Sequence, residues 1–155
     1  MRRISIALLA AVASLAGCHR YRPVPMSSAF QEFSLGGVIE RMSVPGFRPA
    51  IAMVEGGSGI DPTPRRGWNL VFQIERPGEF NETRFIERLK RETEGTLRRS
   101  GARLGDSSGS NDEFNLEYTA AGHVGWVEVV GARMPGDQYK VWGVIHEASA
   151  PARAD

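Results

Sequence analysis

Residues 68–75 alternate: Trp68, Leu70, Phe72 and Ile74 fall on one side, Asn69, Val71, Gln73 and Glu75 on the other. A two-residue period rich in aromatic and β-branched side chains predicts a half-buried strand. Phe114, Leu116 and Tyr118, spaced by Asn115 and Glu117, repeat the pattern. Two longer apolar runs follow, 123–133 and 138–147. Between them Met134-Pro135-Gly136-Asp137 fits a type II turn with proline and glycine central. Upstream, 37–44 and 50–55 are weaker strand candidates separated by Pro45-Gly46.

The period changes to 3.6 between Glu82 and Ser100. Phe85, Ile86, Leu89, Thr93 and Leu97 form one stripe, so a helix is predicted there. Asn81 is a suitable N-cap, and Phe80 and Phe85 have the spacing of a hydrophobic staple. Gly101 can supply the left-handed residue that ends it. Glu87–Arg91 and Glu94–Arg98 have the i,i+4 spacing of ion pairs on the wet side. Gly95, inside the helix, costs about 1 kcal/mol relative to alanine and is read as a point of close approach to a sheet. Strands, one helix, then a run of strands predict an α+β domain: a single helix packed on an antiparallel sheet that ends in a meander.

With Pro135 set opposite Gly136, the last hairpin groups Val124, Trp126 and Val130 with Tyr139, Val141 and Ile145. The other face carries Val127, Val129, Trp142 and Val144. Both faces are apolar, whereas an antiparallel sheet with one wet side shows a polar face. The helix covers one face. The other is expected to be covered by segment 30–60, by a small apolar ligand or by a protein partner, and Val127, Val129, Trp142 and Val144 are its contact residues. A slip of one residue would exchange the faces without removing the two-sided pattern.

A different pattern opens the chain. Arg2 and Arg3 precede Ile4–Ala16, which is free of charge. Thirteen helical residues span about 20 Å, short of a hydrocarbon core of about 30 Å, and match the apolar region of a secretory signal. Leu15-Ala16-Gly17-Cys18 follows at once. This segment resembles the lipobox of bacterial lipoproteins. The resemblance covers the signal and the cysteine, not the domain. It implies diacylglyceryl transfer to Cys18, cleavage between Gly17 and Cys18, and usually acylation of the new amino group. An ordinary signal cut after Ala11-Val12-Ala13 is the alternative, and leaves Cys18 as a free thiol in an oxidising compartment. Two or more acyl chains suffice for stable anchoring. By the same resemblance, histidine rather than aspartate at position 19 favours the outer membrane, facing the periplasm.

The chain thus divides into a signal peptide (1–17), an extended tether rich in proline (18–29), one domain (30–148) and a short tail (149–155). Removing residues 1–17 takes Arg2 and Arg3 away and turns the formal net charge from +1 to −1. Such a balance offers no footprint for nucleic acid. A lone cysteine cannot form an internal disulfide.

Candidate chemistry is thin. Gly105-Asp106-Ser107-Ser108-Gly109 matches G-x-S-x-G, and Ser107, Asp112 or Asp137, and His146 follow hydrolase order. A nucleophile elbow needs a strand before it and a helix after it, and the predicted order here is the reverse. The small polar stretch 105–112 reads instead as a loop. His123 and His146 fall diagonally on one predicted face, with Glu147 pointing away, and no HExxH or CxxC spacing supports a metal. Residues 55–60 are glycine-rich but lack the lysine of a phosphate loop. The expectation is a non-enzymatic domain with no catalytic residue, metal or cofactor, tethered to a membrane through Cys18. It works by binding or in envelope assembly; a carrier or sensor of a small apolar ligand is the alternative, and a small hydrolase or metal enzyme using Ser107, His123 or His146 is the third reading.

Overall fold

The computed structural model describes residues 25–44, 47–51 (backbone only) and 64–149. Three helices lie on one side of a six-stranded antiparallel sheet. The elements are α1 (Ser28–Glu32), α2 (Leu35–Met42), β1 (Phe47–Ile51), β2 (Arg65–Ile74), α3 (Glu82–Arg99), β3 (Arg103–Gly109), β4 (Glu113–Ala120), β5 (His123–Met134) and β6 (Gln138–Ser149). The strand order is β1-β2-β6-β5-β4-β3. β3 to β6 form the meander, and β2 pairs with the last strand across a large gap in sequence. The α+β class, with one main helix on an antiparallel sheet, agrees with the hydrophobic pattern.

α3 forms where the stripe predicts it. The Asn81 side chain accepts from the Arg84 amide at 2.9 Å. Phe80 and Phe85 meet with ring centroids 5.7 Å apart, closing the staple. Phe85, Ile86, Leu89, Thr93 and Leu97 are all buried. Gly101 ends the helix with φ 83°. Glu94 and Arg98 approach to 3.9 Å. Gly95 does not touch the sheet: a methyl group placed there would meet Arg99 Nη1 at 3.3 Å, a movable side chain of the same helix.

Three expectations are corrected. Residues 37–44 are not a strand: α2 occupies most of them, capped by Ser34, whose hydroxyl accepts from the Gly37 amide at 3.2 Å. Leu35, Val38, Ile39 and Met42 recur at helical spacing and are buried, and this packing outweighs the two glycines and β-branched residues. Residues 105–109 are not a loop but most of β3, a mostly exposed edge strand with a register shift between Leu104 and Ser107. The end of the segment read as tether is folded as well. Ser27 and Ala29 are buried, and Ser27 caps α1 by accepting from the Phe30 amide at 3.2 Å. Of the candidate strand 50–55, residues 50 and 51 lie in β1; the remainder lies outside the described residues, as do Pro45-Gly46.

One core fills the space between helices and sheet. Trp68, Leu70, Phe72 and Ile74 of β2 meet the stripe of α3, the buried side of α2, and Tyr139, Val141 and Ile145 of β6. Three strand positions are kept free for these side chains. A methyl group on Gly125 would collide with the Tyr118 ring, one on Gly131 with the Tyr139 hydroxyl, and one on Gly143 with Leu35 Cδ2.

Candidate functional site

The register of the last hairpin decides which side chains are available. Met134 pairs with Gln138, so the connection holds three residues, Pro135, Gly136 and Asp137. Gly136 takes the positive φ of the expected turn (76°), but Asp137 takes one too (55°). The added residue moves the pairing by one position relative to the sequence reading and re-sorts the faces. Val127 and Val129 are 0% and 1% exposed and lie on the helix side with Tyr139, Val141 and Ile145. They are not contact residues. Trp142 and Val144 stay on the opposite face, where Val124, Trp126 and Val130 join them.

This open face is a stripe of apolar side chains along the two central strands. Trp142 is 43% and Val130 37% exposed, directly opposite each other in the ladder. Met134, at the end of β5, is 40% exposed. Trp126 lies against His146 with ring centroids 5.3 Å apart, and His146 Nε2 is 3.7 Å from Glu128 Oε1. Polar residues flank the stripe: Asn115 and Glu117 on β4, Asn69 on β2, Lys140 at the side of Trp142. Of segment 30–60, expected as a cover, residues 30–44 pack with α3 on the other side of the sheet and 47–51 form its edge strand, while 45–46 and 52–60 lie outside the described residues.

A second grouping escaped the sequence reading. His123 and His146 face opposite sides of the sheet, and it is Glu147 that shares the helix side with His123. Glu147 is fully buried, as are Tyr118 and, within 3%, Ser27 and His123. The Glu147 carboxylate accepts from the Ser27 amide at 2.9 Å, from the Ser27 hydroxyl, and from the Tyr118 hydroxyl at 3.2 Å. His123 Nε2 donates to the Pro25 carbonyl at 2.9 Å, and its Nδ1 stands 3.9 Å from Glu147 Oε2. Three hydrogen bonds compensate a carboxylate removed from water. Burial above all, and then the neighbouring Glu147 charge, push the Tyr118 phenol far above the ordinary tyrosine range. The group clamps residues 25–27 to β5 and β6. The Ser27 hydroxyl donates its hydrogen bond to the Glu147 carboxylate rather than to the His123 imidazole. A signal was present: Glu147 continues the buried series Tyr139, Val141, Ile145, where a carboxylate demands partners.

The remaining candidates are dispersed. Ser107 faces α3 and accepts from Lys90 Nζ at 3.2 Å, while His146 lies on the open face, so the two do not meet. Asp112 accepts from Ser110 at 2.6 Å, and Asp137 sits in the hairpin connection. No group of three or more metal-ligating side chains occurs among the described residues. Cys18, Gly17 and His19 lie outside the described residues, as does the glycine-rich stretch 55–60. No helix among the described residues is long and apolar enough to cross a membrane. No protein-family model, curated protein or solved structure matches this chain.

Proposed function

We propose that the protein is a lipid-anchored component of a bacterial cell envelope whose small domain works without catalysis, by presenting its open sheet face to a protein partner. The anchor part rests on the order of the first eighteen residues: two arginines, an uncharged apolar stretch, then Leu-Ala-Gly-Cys. By the same resemblance the outer membrane, facing the periplasm, is the expected site. The contact part rests on one observation above all, the exposure of Trp142 opposite Val130 at the centre of the sheet. Tryptophan is enriched where partners bury their main contacts, and apolar stripes rimmed by polar groups mark such surfaces.

Two experiments separate the parts. Mass analysis of protein extracted from membranes is expected to find acyl chains on Cys18, and Cys18→Ala to take up no labelled fatty acid. Acyl label persisting in the variant would overturn the anchor reading. A photo-crosslinking residue at Trp142 is expected to capture a discrete partner in cells, and one at exposed Arg91 on α3 to capture none. Trp142→Glu with Val130→Glu is expected to abolish an adduct formed from Lys140 while leaving the melting temperature nearly unchanged. No adduct at Trp142, or a Lys140 adduct indifferent to the double substitution, would remove the contact reading.

A further inference from the structure

We propose that a groove at the start of α3 binds a small amphipathic carboxylate, at a site separate from the open sheet face. The groove holds about 280 Å³, at the small end of small-molecule sites, which run from about 300 to 1,000 Å³. It lies where the end of α2, the connection from β2 to α3 and the first two turns of α3 meet. Buried Ile74 and Phe85 and half-buried Val44 and Phe80 supply its apolar surface. Arg76, Arg84 and Arg88 line the same space, and Glu79 is the one acid among the described lining residues. Apolar surface beneath a cationic rim suits a ligand with an apolar body and a negatively charged head.

The three arginines are not equivalent. Arg76 is engaged by Glu79 at 3.4 Å, and Arg88 donates to the Met42 carbonyl at the end of α2. The Arg84 guanidinium has neither an ion pair nor a hydrogen bond among the described residues. Acids close by in sequence are directed elsewhere. Glu82 pairs with Arg133 at 3.0 Å, Glu87 lines a separate cleft beside β3, and Glu75 does not line the groove. Arg84 is also placed against its own helix. It stands three residues past the N-cap Asn81, where the positive end of the helix dipole disfavours a cation. It stands four residues before Arg88 as well, a spacing at which like charges repel. No contact among the described residues offsets either cost; an anion seated in the groove offsets both. One guanidinium with its donors free, beside a second fixed by Met42, suits a singly charged head. The planar fork of arginine takes a carboxylate through two parallel hydrogen bonds, while the acyl or aryl body covers Phe80 and Val44.

The test follows backbone amide shifts by NMR in the full-length chain carrying Cys18→Ala, so that no acyl chain of its own competes for the groove. Octanoate is added below its micelle-forming concentration, with octanol as the uncharged counterpart and acetate as the head alone. Octanoate is expected to shift amides within residues 76–88 saturably, and to bind about fivefold or more tightly than octanol. Acetate is expected to give no saturable shift. The residue-by-residue readout keeps the groove apart from the apolar stretch 4–16. Arg84→Gln is expected to weaken octanoate about fivefold without lowering the thermal midpoint, since it takes a cation out of the first turn. Arg91→Gln, on α3 outside the groove, is expected to leave the affinity unchanged. Octanol binding as tightly as octanoate, shifts that never saturate or fall outside the groove, or an Arg84→Gln chain with unchanged affinity overturns the proposal. A lower midpoint in Arg84→Gln overturns it too, because the arginine then serves the fold. So does an acetylated tripeptide ending in leucine that outbinds octanoate, which assigns the groove to chain ends.

Discussion

Glu147 carries a charge into the core and is supported there by Ser27 and Tyr118. Such a group is costly only when its partners are taken away. Ser27→Ala removes one donor to the carboxylate and the cap of α1, and is expected to lower stability by about 1–3 kcal/mol in urea unfolding. Glu147→Ala strands both Ser27 donors and the Tyr118 hydroxyl, and is expected to cost about 3 kcal/mol or more. Equal, near-zero effects would show that water replaces the clamp. The tyrosines give an independent reading. Burial raises Tyr139 as well as Tyr118, with the charges of Glu82 and Asp112 adding to it. A phenol raised in the folded state is bound to its proton there after the unfolded chain has lost it. Its contribution is intact below the unfolded value of about 10 and declines as pH rises beyond it. Two of the three tyrosines should therefore ionise only together with alkaline unfolding, seen as absorbance at 295 nm tracking circular dichroism.

Among the elements, α3 could be read almost to the residue because every cue lies within the helix or one position outside it. Asn81, the Phe80–Phe85 staple, the stripe and Gly101 act over a few residues. Gly95 is the exception to that local economy. Since its added methyl would meet just the end of Arg99, Gly95→Ala should raise stability by about 0.5–1 kcal/mol. Gly125→Ala makes the opposite prediction: its methyl would enter the Tyr118 ring, and overpacking there is expected to cost about 1–3 kcal/mol. Both are measured by thermal denaturation. α2 was harder to read, because its glycines and β-branched residues argue for a strand and its buried face shows only once the sheet is present to receive it. The sheet's two-sidedness was legible and its register was not. One residue, Asp137 in a positive φ, separates a two-residue from a three-residue connection and decides whether Val127 or Val130 meets solvent. Nothing within a few positions of Asp137 announces that choice. The clamp was out of local reach altogether, since Ser27 and Glu147 stand 120 residues apart.

Over the whole molecule, three helices on one side and none among the described residues on the other produce a two-sided plate. The sides differ in kind: one is a filled core, the other a tryptophan-bearing stripe. A plate that is distinct across its thickness gives a partner of the proposed kind one face to approach. The proposed contact face runs along β5 and β6, where Trp142 and Val130 are exposed opposite each other.

The pairing of β2 with β6 also orders events in time. β2 has no long partner until β6 exists, and Ser27 has no carboxylate until Glu147 arrives. The meander β3 to β6 can zip from neighbouring segments, but Ser27 must wait for Glu147, 120 residues on. Pairings this distant in sequence slow the final closure. A chain emerging N-terminus first therefore keeps residues 25–32 unclamped until its end is delivered, and one cut short before Glu147 never fastens them.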